Sequence, residues 1–173
     1  WEGGVRVPSI IKFPNGLKSN EIDEPIMAID WMPTFANITG SKLSQNKIDG
    51  KDIWPLLSGE VDQSPHENLY FYYRVNELHS IRMNNWKIQF SRTYRSLNGK
   101  DGGKDGIPVK YEMNLIDKNE LYNLKDDPKE RIDVYDKFPE IAKKIEELAE
   151  KARVELGDNL KGRKGKGNRL SKN

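Results

Sequence analysis

The apolar residues near the C-terminal end of the chain recur every three or four positions. In the segment FPEIAKKIEELAEKARVELG, one face carries Ile141, Ile145, Leu148, Ala152 and Leu156, and the other face is charged. This spacing predicts an amphipathic helix, and Gly157 is the residue type that most readily ends a helix. Such a helix has to bury its apolar face, so the rest of the fold must offer a surface for it to cover.

Four segments before this helix are rich in aromatic and β-branched residues. Their sequences are NLYFYYRV, ELHSIRM, WKIQFSRTYR and ELYNL, and Asn84-Asn85 marks a turn between the second and the third. Each predicts a short strand, and together they predict a four-stranded antiparallel sheet. The segment between Ser96 and Tyr111 carries four glycines and alternating charges, which indicates a loop longer than a simple hairpin needs.

The first third of the chain predicts a strand followed by two helices. VRVPSIIKFP, from Val5 to Phe13, is a short apolar segment whose proline indicates an edge or the start of a strand. In IDWMPTFANITG, Asp30 is a typical N-cap and Gly40 a typical stop, so this segment predicts a helix. We expect its apolar face to consist of Ile29, Met32, Phe35, Ala36 and Ile38. IDGKDIWPLLSGE predicts a turn and a short helical piece.

Composition and spacing exclude several kinds of site. The 173 residues contain no cysteine, which excludes disulfides, thiolate metal sites and cysteine nucleophiles within this chain. No apolar run approaches the roughly 20 residues needed to span a bilayer. His66 and His79 are in no metal-binding spacing, and GKDGGKDG lacks the ending of a phosphate-binding loop. Asp126, Asp127 and Glu130 indicate a turn before the helix rather than a metal cluster.

The C-terminal end is strongly basic. Residues 161–173 carry six lysines and arginines and no acid, whereas the rest of the chain is mildly acidic. Glycines separate the charges and only Leu170 is a sizeable apolar residue, so this composition predicts a disordered tail. A basic tail can also hold nucleic acid or another polyanion, and this remains an alternative role.

Five motifs together resemble one protein family. They are EGGVRVP, IDWMPT, IDGKDIWPLLSG, ELHSIRMNNWKIQF and ELYNLKDDPKER, and they occur in this order over residues 1 to about 158. Their order and spacing resemble the C-terminal third of a type I, arylsulfatase-like sulfatase of the alkaline phosphatase superfamily. The resemblance implies an α/β fold of which this chain is the C-terminal part only. It would contribute the last strand and helices of the large α/β domain and a small four-stranded antiparallel sheet with one helix.

The resemblance also implies a division into domains. Residues 1–59 would end the α/β catalytic domain, residues 60–67 would be a linker, and residues 68–158 would form the sheet-and-helix subdomain. Residues 159–173 would be the disordered basic tail.

By the same resemblance, the activity is hydrolysis of sulfate esters, on a sulfated carbohydrate. The family nucleophile is a formylglycine made from a cysteine or serine, and a calcium ion assists it. Both belong to the N-terminal catalytic domain, which is the expected partner of this chain. We therefore expect neither catalytic residues nor metal ligands in this chain. We also expect that Trp1 lies inside a longer gene product and that the chain alone is inactive. The expected location is periplasmic or extracellular in a bacterium rather than lysosomal.

The resemblance places Glu2, Gly3 and Gly4 beside the substrate pocket. The pair Gly3-Gly4 predicts a tight turn with positive φ, which glycine adopts without strain.

Four polar residues lie where the first predicted strand ends and the second begins. They are Arg74, Asn76, Glu77 and His79, and we expect at least one of them to contact substrate. Arginine pairs well with the oxyanions of a sulfated or carboxylated sugar, and histidine can bind a hydroxyl. Alternatively, His79 only caps the hairpin, and Arg82 only pairs with an acid under the sheet.

Two other functions remain open. One is a polyanion- or nucleic-acid-binding module that uses the basic tail. The other is a phosphodiesterase or phosphatase of the same superfamily, whose threonine or serine nucleophile and two metals would lie upstream.

Overall fold

The computed structural model describes residues 1–14 and 16–168 of the chain. They form two compact units, one containing residues 6–67 and the other containing residues 1–5 together with the chain from Asn68 onward. The first five residues thus group with the C-terminal sheet, whereas the resemblance implies one domain for residues 1–59.

The helices and strands are short apart from one long helix. The helices are α1 (Glu2–Val5), α2 (Trp31–Thr39), α3 (Trp54–Ser58) and α4 (Pro139–Glu155). The strands are β1 (Asn68–Tyr73), β2 (Glu77–Met83), β3 (Trp86–Gln89), β4 (Arg92–Ser96), β5 (Glu112–Ile116), β6 (Glu120–Asn123), β7 (Gly157–Asp158) and β8 (Arg163–Lys164). None of the helices among the described residues is long and apolar enough to cross a membrane.

The main sheet has four strands in the order β1-β2-β3-β6, and every neighbouring pair is antiparallel. This confirms the predicted sheet. The turn between β2 and β3 is formed by Asn84 and Asn85, and Asn84 adopts a φ of 53°. Asparagine tolerates this left-handed conformation better than most residues, which suits a two-residue hairpin turn.

Helix α4 covers one face of the main sheet, as its apolar spacing predicts. Its buried apolar residues are Ala142, Ile145, Ala149 and Ala152, and the sheet contributes Leu78, Ile81, Ile88, Phe90 and Leu121. Three of the four helix residues are alanines, whose small side chains allow the helix to lie close to the strands. Leu148 and Ile141 flank this core and are partly buried.

The opposite face of the main sheet is polar. Arg82, Lys87 and Tyr122 lie side by side across β2, β3 and β6. They flank the apolar row that faces α4, and successive side chains point to opposite faces of a sheet. Lys87 and Tyr122 are nevertheless buried, because residues 1–5 cover this face.

The segment WKIQFSRTYR forms two strands in different sheets rather than one. Strand β3 joins the main sheet, and β4 pairs with β5 in a separate antiparallel hairpin. The sequence analysis does not predict β5. The predicted loop between Ser96 and Tyr111 connects β4 and β5, and its only strand-like pairing among the described residues is an isolated bridge from Lys104 to Ile107.

The N-terminal segment differs from its prediction. Residues 2–5 are helical, and Val5 to Phe13 contains no strand. Ile10 is 98% exposed and Val7 is 77% exposed, and the segment pairs with no strand among the described residues. The predicted turn at Gly3-Gly4 is also wrong, because both residues lie in α1 and neither has a positive φ.

Helix α2 forms where the sequence predicts it, and Gly40 ends it with a φ of 65°. Its orientation differs from the prediction. Ile29, Met32 and Phe35 are exposed, whereas the helix buries Pro33 and Thr34. The hydroxyl of Thr34 donates to the backbone oxygen of Asp30 and accepts a hydrogen bond from the amide of Ile53. These polar contacts fix which side of α2 faces the rest of its unit.

The start of the predicted disordered tail is folded. Residues 157–164 form the β7–β8 hairpin, and the amides of Lys166 and Gly167 donate to backbone oxygens at the end of α4. A Cβ on Gly165 would lie 2.3 Å from the carbonyl carbon of Leu156, so glycine permits a backbone approach that other residues would prevent. Residues 169–173 of the predicted tail lie outside the described residues.

Candidate functional site

The turn between β1 and β2 brings together three of the four residues predicted to contact substrate. Arg74 and Asn76 adopt φ values of 51° and 66°, which tighten the turn. The Nη1 atom of Arg74 lies 3.7 Å from Oε1 of Glu77, and Nε2 of His79 lies 2.9 Å from Oε2 of Glu77. Arg74, Glu77 and His79 therefore form one polar group, which we call the turn cluster.

The surroundings of His79 lower its pKa. Burial lowers the pKa of His79 below its ordinary value of 6.5, the hydrogen bond to Glu77 opposes this shift, and the charge of Arg92 adds to it. The ring is therefore neutral at neutral pH. Because a carboxylate only accepts, Nε2 of His79 carries the proton that it donates to Glu77. This leaves Nδ1 as an acceptor that suits a hydroxyl donor.

The lowered pKa of His79 predicts a pH dependence of stability. The unfolded chain takes up a proton as the pH falls through 6.5, whereas the folded chain resists it until a lower pH. Stability from this group is thus complete above pH 6.5 and is lost as the pH falls below it. We expect the urea concentration at the midpoint of unfolding to be lower at about pH 5.5 than at about pH 7.5. This difference should be smaller in His79→Gln. Equal pH dependence in both proteins would contradict this.

Asn76 serves the fold of the turn rather than joining the turn cluster. Its side-chain amide donates to the backbone oxygen of Leu156 at 2.8 Å, and its own backbone oxygen accepts from the amide of Asn159 at 2.8 Å. Asn76 thus ties the β1–β2 turn to the end of α4 and to the segment that follows.

Arg92 is hydrogen-bonded to the backbone of His79, a member of the turn cluster. Its Nη1 donates to the backbone oxygens of His79 and Phe90 at 3.1 and 2.9 Å, and its Nη2 donates to Oε1 of Gln89 at 2.8 Å. Its Nε is buried and has no partner among the described residues. Sequence reasoning missed Arg92, since nothing in the spacing of WKIQFSRTYR shows that this segment forms two strands in different sheets.

Lys87 is the centre of a buried ionic group. It is 1% exposed, and its Nζ lies 2.8 Å from Oε1 of Glu2 and 3.1 Å from Oε1 of Glu130. The ammonium group also lies 4.9 Å from the centre of the Phe71 ring. Gln89 donates to Oε1 of Glu130 at 2.8 Å. We call Glu2, Lys87, Gln89, Arg92 and Glu130 the buried network.

Glu130 remains ionised in this setting. Burial pushes the pKa of Glu130 upward, but the charge of Lys87 and the hydrogen bonds from the Glu2 amide and from Gln89 outweigh it, so the net pKa is lowered. The Glu2 amide lies 2.6 Å from Oε2 of Glu130. Glu130 itself has a φ of 52°, so its backbone is strained to present the carboxylate here.

The buried network connects the two groups of predicted site residues. Hydrogen bonds lead from the backbone of His79 through Arg92, Gln89 and Glu130 to Glu2. Nη1 of Arg82 lies 3.8 Å from Oε2 of Glu2. Arg82 therefore has an acid as partner, which is the alternative role given for it above.

Gly3 and Gly4 take no part in these contacts. Both face open space where a Cβ would be.

A cleft of about 520 Å³ lies beside α4, at the β7–β8 hairpin. Two of the carboxylates that line it are already bound: Glu146 accepts from Asn119 and Tyr135 at 2.7 Å each, and Glu150 pairs with Arg153 and Arg163. The hydrogen bond to Glu146 raises the pKa of Tyr135 to about 12. These contacts stabilise the helix.

His66 is a structural residue in the other unit. Its Nε2 lies 2.8 and 2.9 Å from the two carboxylate oxygens of Asp30, and both side chains are buried. The same carboxylate accepts from the amides of Met27 and Lys51. Asp30 thus joins three segments. The sequence predicts that its side chain caps α2, but the side chain makes no capping hydrogen bond to this helix. In the described part of the chain, no group of three or more histidine, aspartate or glutamate residues could hold a metal ion.

Comparison with known proteins identifies the class of this fold. A family described as the C-terminal region of aryl-sulfatase matches residues 64–165, and one described as N-sulphoglucosamine sulphohydrolase, C-terminal, matches residues 1–98. A Bacteroides thetaiotaomicron protein, solved in work on the metabolism of multiple glycosaminoglycans, is 22% identical with a TM-score of 0.59. The match covers 81% of this chain and 27% of that one. The fold is that of a sulfatase C-terminal region.

Curated relatives agree with this fold. Human arylsulfatase H is 32% identical over 160 residues, which cover 84% of this chain and 28% of that protein. Human steryl-sulfatase is 43% identical over 74 residues, which cover 42% of this chain and 13% of that protein. The chain belongs to the sulfatase family and corresponds to its C-terminal region. It spans under a third of the length of these relatives.

Proposed function

We propose that this chain is the C-terminal part of an enzyme that hydrolyses sulfate esters, and that the substrate is a sulfated carbohydrate. The observation that carries the proposal is the turn cluster, in which an arginine and a neutral histidine share one glutamate, within a chain of the sulfatase family. Arg74 is partly exposed and its 3.7 Å contact with Glu77 is loose, so it is available to a sulfate or carboxylate of the substrate. His79 would accept a hydrogen bond from a sugar hydroxyl at Nδ1.

The partner of this chain is an N-terminal catalytic domain. Nine large apolar residues in the described part of the unit formed by residues 6–67 are exposed, among them Val7, Ile10, Ile29, Met32 and Phe35. Burying such a side chain stabilises a protein by about 1.5–3 kcal/mol, so an exposed group of this size favours a packing partner. We propose that these residues pack against the catalytic domain.

The chemistry of the reaction belongs to that domain. A calcium ion and a formylglycine nucleophile are implied by the resemblance, but the described residues do not fit a calcium site, and the chain has no cysteine. The role proposed for this chain is to bind and orient substrate and to complete the fold, and the chain alone is expected to be inactive. By resemblance to the family, the proposed location is periplasmic or extracellular in a bacterium, which the absence of cysteine and the composition rich in lysine and asparagine fit better than a lysosomal location.

Replacing Arg74 tests this proposal in the longer protein that contains the chain. Loss of a charge-assisted hydrogen bond predicts that Arg74→Gln raises KM for a sulfated saccharide by about tenfold, with little change in kcat. The assay is sulfate release measured by ion chromatography. Arg95→Gln is the matched control, because Arg95 is exposed on β4 and has no ion pair in the described part of the chain. Equal KM values for the wild-type and Arg74→Gln proteins would contradict the contact.

A further inference from the structure

The β7–β8 hairpin and the residues after it are held rigidly against the main sheet. Asp158 is completely buried, accepts the amide of Leu78 at 3.2 Å, and pairs with Nε of Arg153 at 2.9 Å. Its Oδ1 also accepts the amide of Leu160. One carboxylate therefore joins strand β2, helix α4 and the hairpin.

The hairpin also contacts the turn that carries the turn cluster. The amide of Asn159 donates to the backbone oxygen of Asn76 at 2.8 Å, and its side chain donates to the backbone oxygen of Val75. The hydroxyl of Tyr72 donates to the oxygen of Gly157 at 3.0 Å. Val75 and Asn76 lie between Arg74 and Glu77, so the hairpin and the turn cluster share one rigid piece of backbone.

Three exposed lysines lie on this hairpin and just after it, and one of them, Lys161, also lines the cleft beside α4. Lys161, Lys164 and Lys166 are exposed and form no ion pair within the part of the chain that the structure describes. The other charged residues of the hairpin are already paired, Arg163 with Glu150 and Asp158 with Arg153. The three lysines therefore form a cationic surface on a segment whose backbone is bonded, through Asn159, to the turn that carries the turn cluster.

We propose that the surface formed by Lys161, Lys164 and Lys166 binds a polysulfated saccharide chain at a distance from the bond that is cleaved. This inference rests on the proposed function and specifies its substrate as a chain with several sulfate groups. Exposed lysines on a fixed backbone bind a row of anionic groups with less loss of conformational entropy than lysines on a disordered tail would. Counterion release then makes the binding steeply dependent on salt.

A nucleic acid fits this surface less well than a sulfated saccharide does. Proteins that bind single strands combine positive charge with aromatic side chains on which bases stack. The segment from Gly157 to Asn173 contains no aromatic residue. The segment that carries the three lysines therefore offers contacts to anionic groups and no aromatic side chain of its own for bases.

The test uses the longer protein that contains the chain and a fluorescein-labelled dextran sulfate oligosaccharide as probe. We expect the triple variant K161Q/K164Q/K166Q to bind the probe about tenfold more weakly at low salt, with a slope of log affinity against log salt smaller by about two. KM for a polysulfated saccharide should rise by a similar factor, while hydrolysis of a small aryl sulfate stays unchanged. The variant K125Q/K129Q/K137Q makes the same change in net charge at exposed lysines elsewhere and should bind like the wild type.

Each outcome decides one claim. Wild-type affinity and salt slope in K161Q/K164Q/K166Q would overturn the inference. Stronger displacement of the probe by single-stranded DNA than by unlabelled dextran sulfate would overturn it in favour of nucleic acid. If the probe binds as expected but the protein releases no sulfate from any ester, the result would support the cationic surface and overturn the proposed function.

Discussion

Replacing Lys87 by methionine is expected to lower the free energy of unfolding by about 3–5 kcal/mol. Methionine has a similar length, so packing against Phe71 survives, but the carboxylates of Glu2 and Glu130 are left buried without their cation. Removing one partner of a buried ion pair costs far more than the pair itself contributes. Urea unfolding monitored by tryptophan fluorescence gives the measurement.

A second variant distinguishes lost charge compensation from lost packing at Lys87. In Lys87→Met with Glu130→Gln, one uncompensated charge is gone while the introduced amide oxygen still accepts hydrogen bonds, so part of the stability should return. Arg82→Met is the control, since Arg82 reaches the same Glu2 carboxylate only at 3.8 Å and from a more exposed position. Its expected cost is below about 1 kcal/mol. Equal effects of the Lys87 and Arg82 variants would contradict the central place of Lys87.

Replacing Asp158 by alanine is expected to cost about 3 kcal/mol and to loosen the hairpin. The change leaves Arg153 without its buried partner and removes the acceptor of the Leu78 and Leu160 amides. Hydrogen exchange should therefore accelerate at residues 159–167 as well as in the helix end. Urea unfolding and hydrogen-exchange mass spectrometry measure the two effects.

Two further variants give an intermediate case and a control for the Asp158 prediction. Asp158→Asn keeps an acceptor for the amides but loses the ion pair, so its cost should lie between those of the wild type and the alanine variant. Asp136→Ala removes a carboxylate that is 84% exposed and should change stability by less than about 0.5 kcal/mol. Unchanged exchange at residues 159–167 in Asp158→Ala would mean that Asp158 does not hold the hairpin.

The parts of the fold that were predictable are those with local signals. The spacing of Ile141, Ile145 and Ala152 identifies α4 and its buried face, and Gly40 marks the end of α2. The segments rich in aromatic and β-branched residues identify the four strands of the main sheet. In each case, the residues that decide the structure lie within a few positions of one another.

The buried network was not predictable because its partners are distant in sequence. Lys87 is 85 residues from Glu2, and no local pattern distinguishes a lysine on a solvent face from one under a covering segment. The outward orientation of Met32 and Phe35 has a similar origin, since contacts from Thr34 to Asp30 and Ile53 decide which face of α2 is buried. Composition also misleads at residues 159–168, where glycines permit close packing instead of disorder.

The site was predictable in part. The sequence places Arg74, Glu77 and His79 at strand ends, and the structure brings them together, whereas Asn76 is used by the fold. Arg92 and the lowered pKa of His79 depend on burial, which only the three-dimensional structure reveals.

The most direct measurement is the product released by the longer wild-type protein from matched sulfate and phosphate esters. The proposed function predicts inorganic sulfate from a sulfated saccharide and little phosphate from the corresponding phosphate monoester or diester. Release of phosphate without sulfate would contradict it and would favour a phosphodiesterase or phosphatase of the same superfamily.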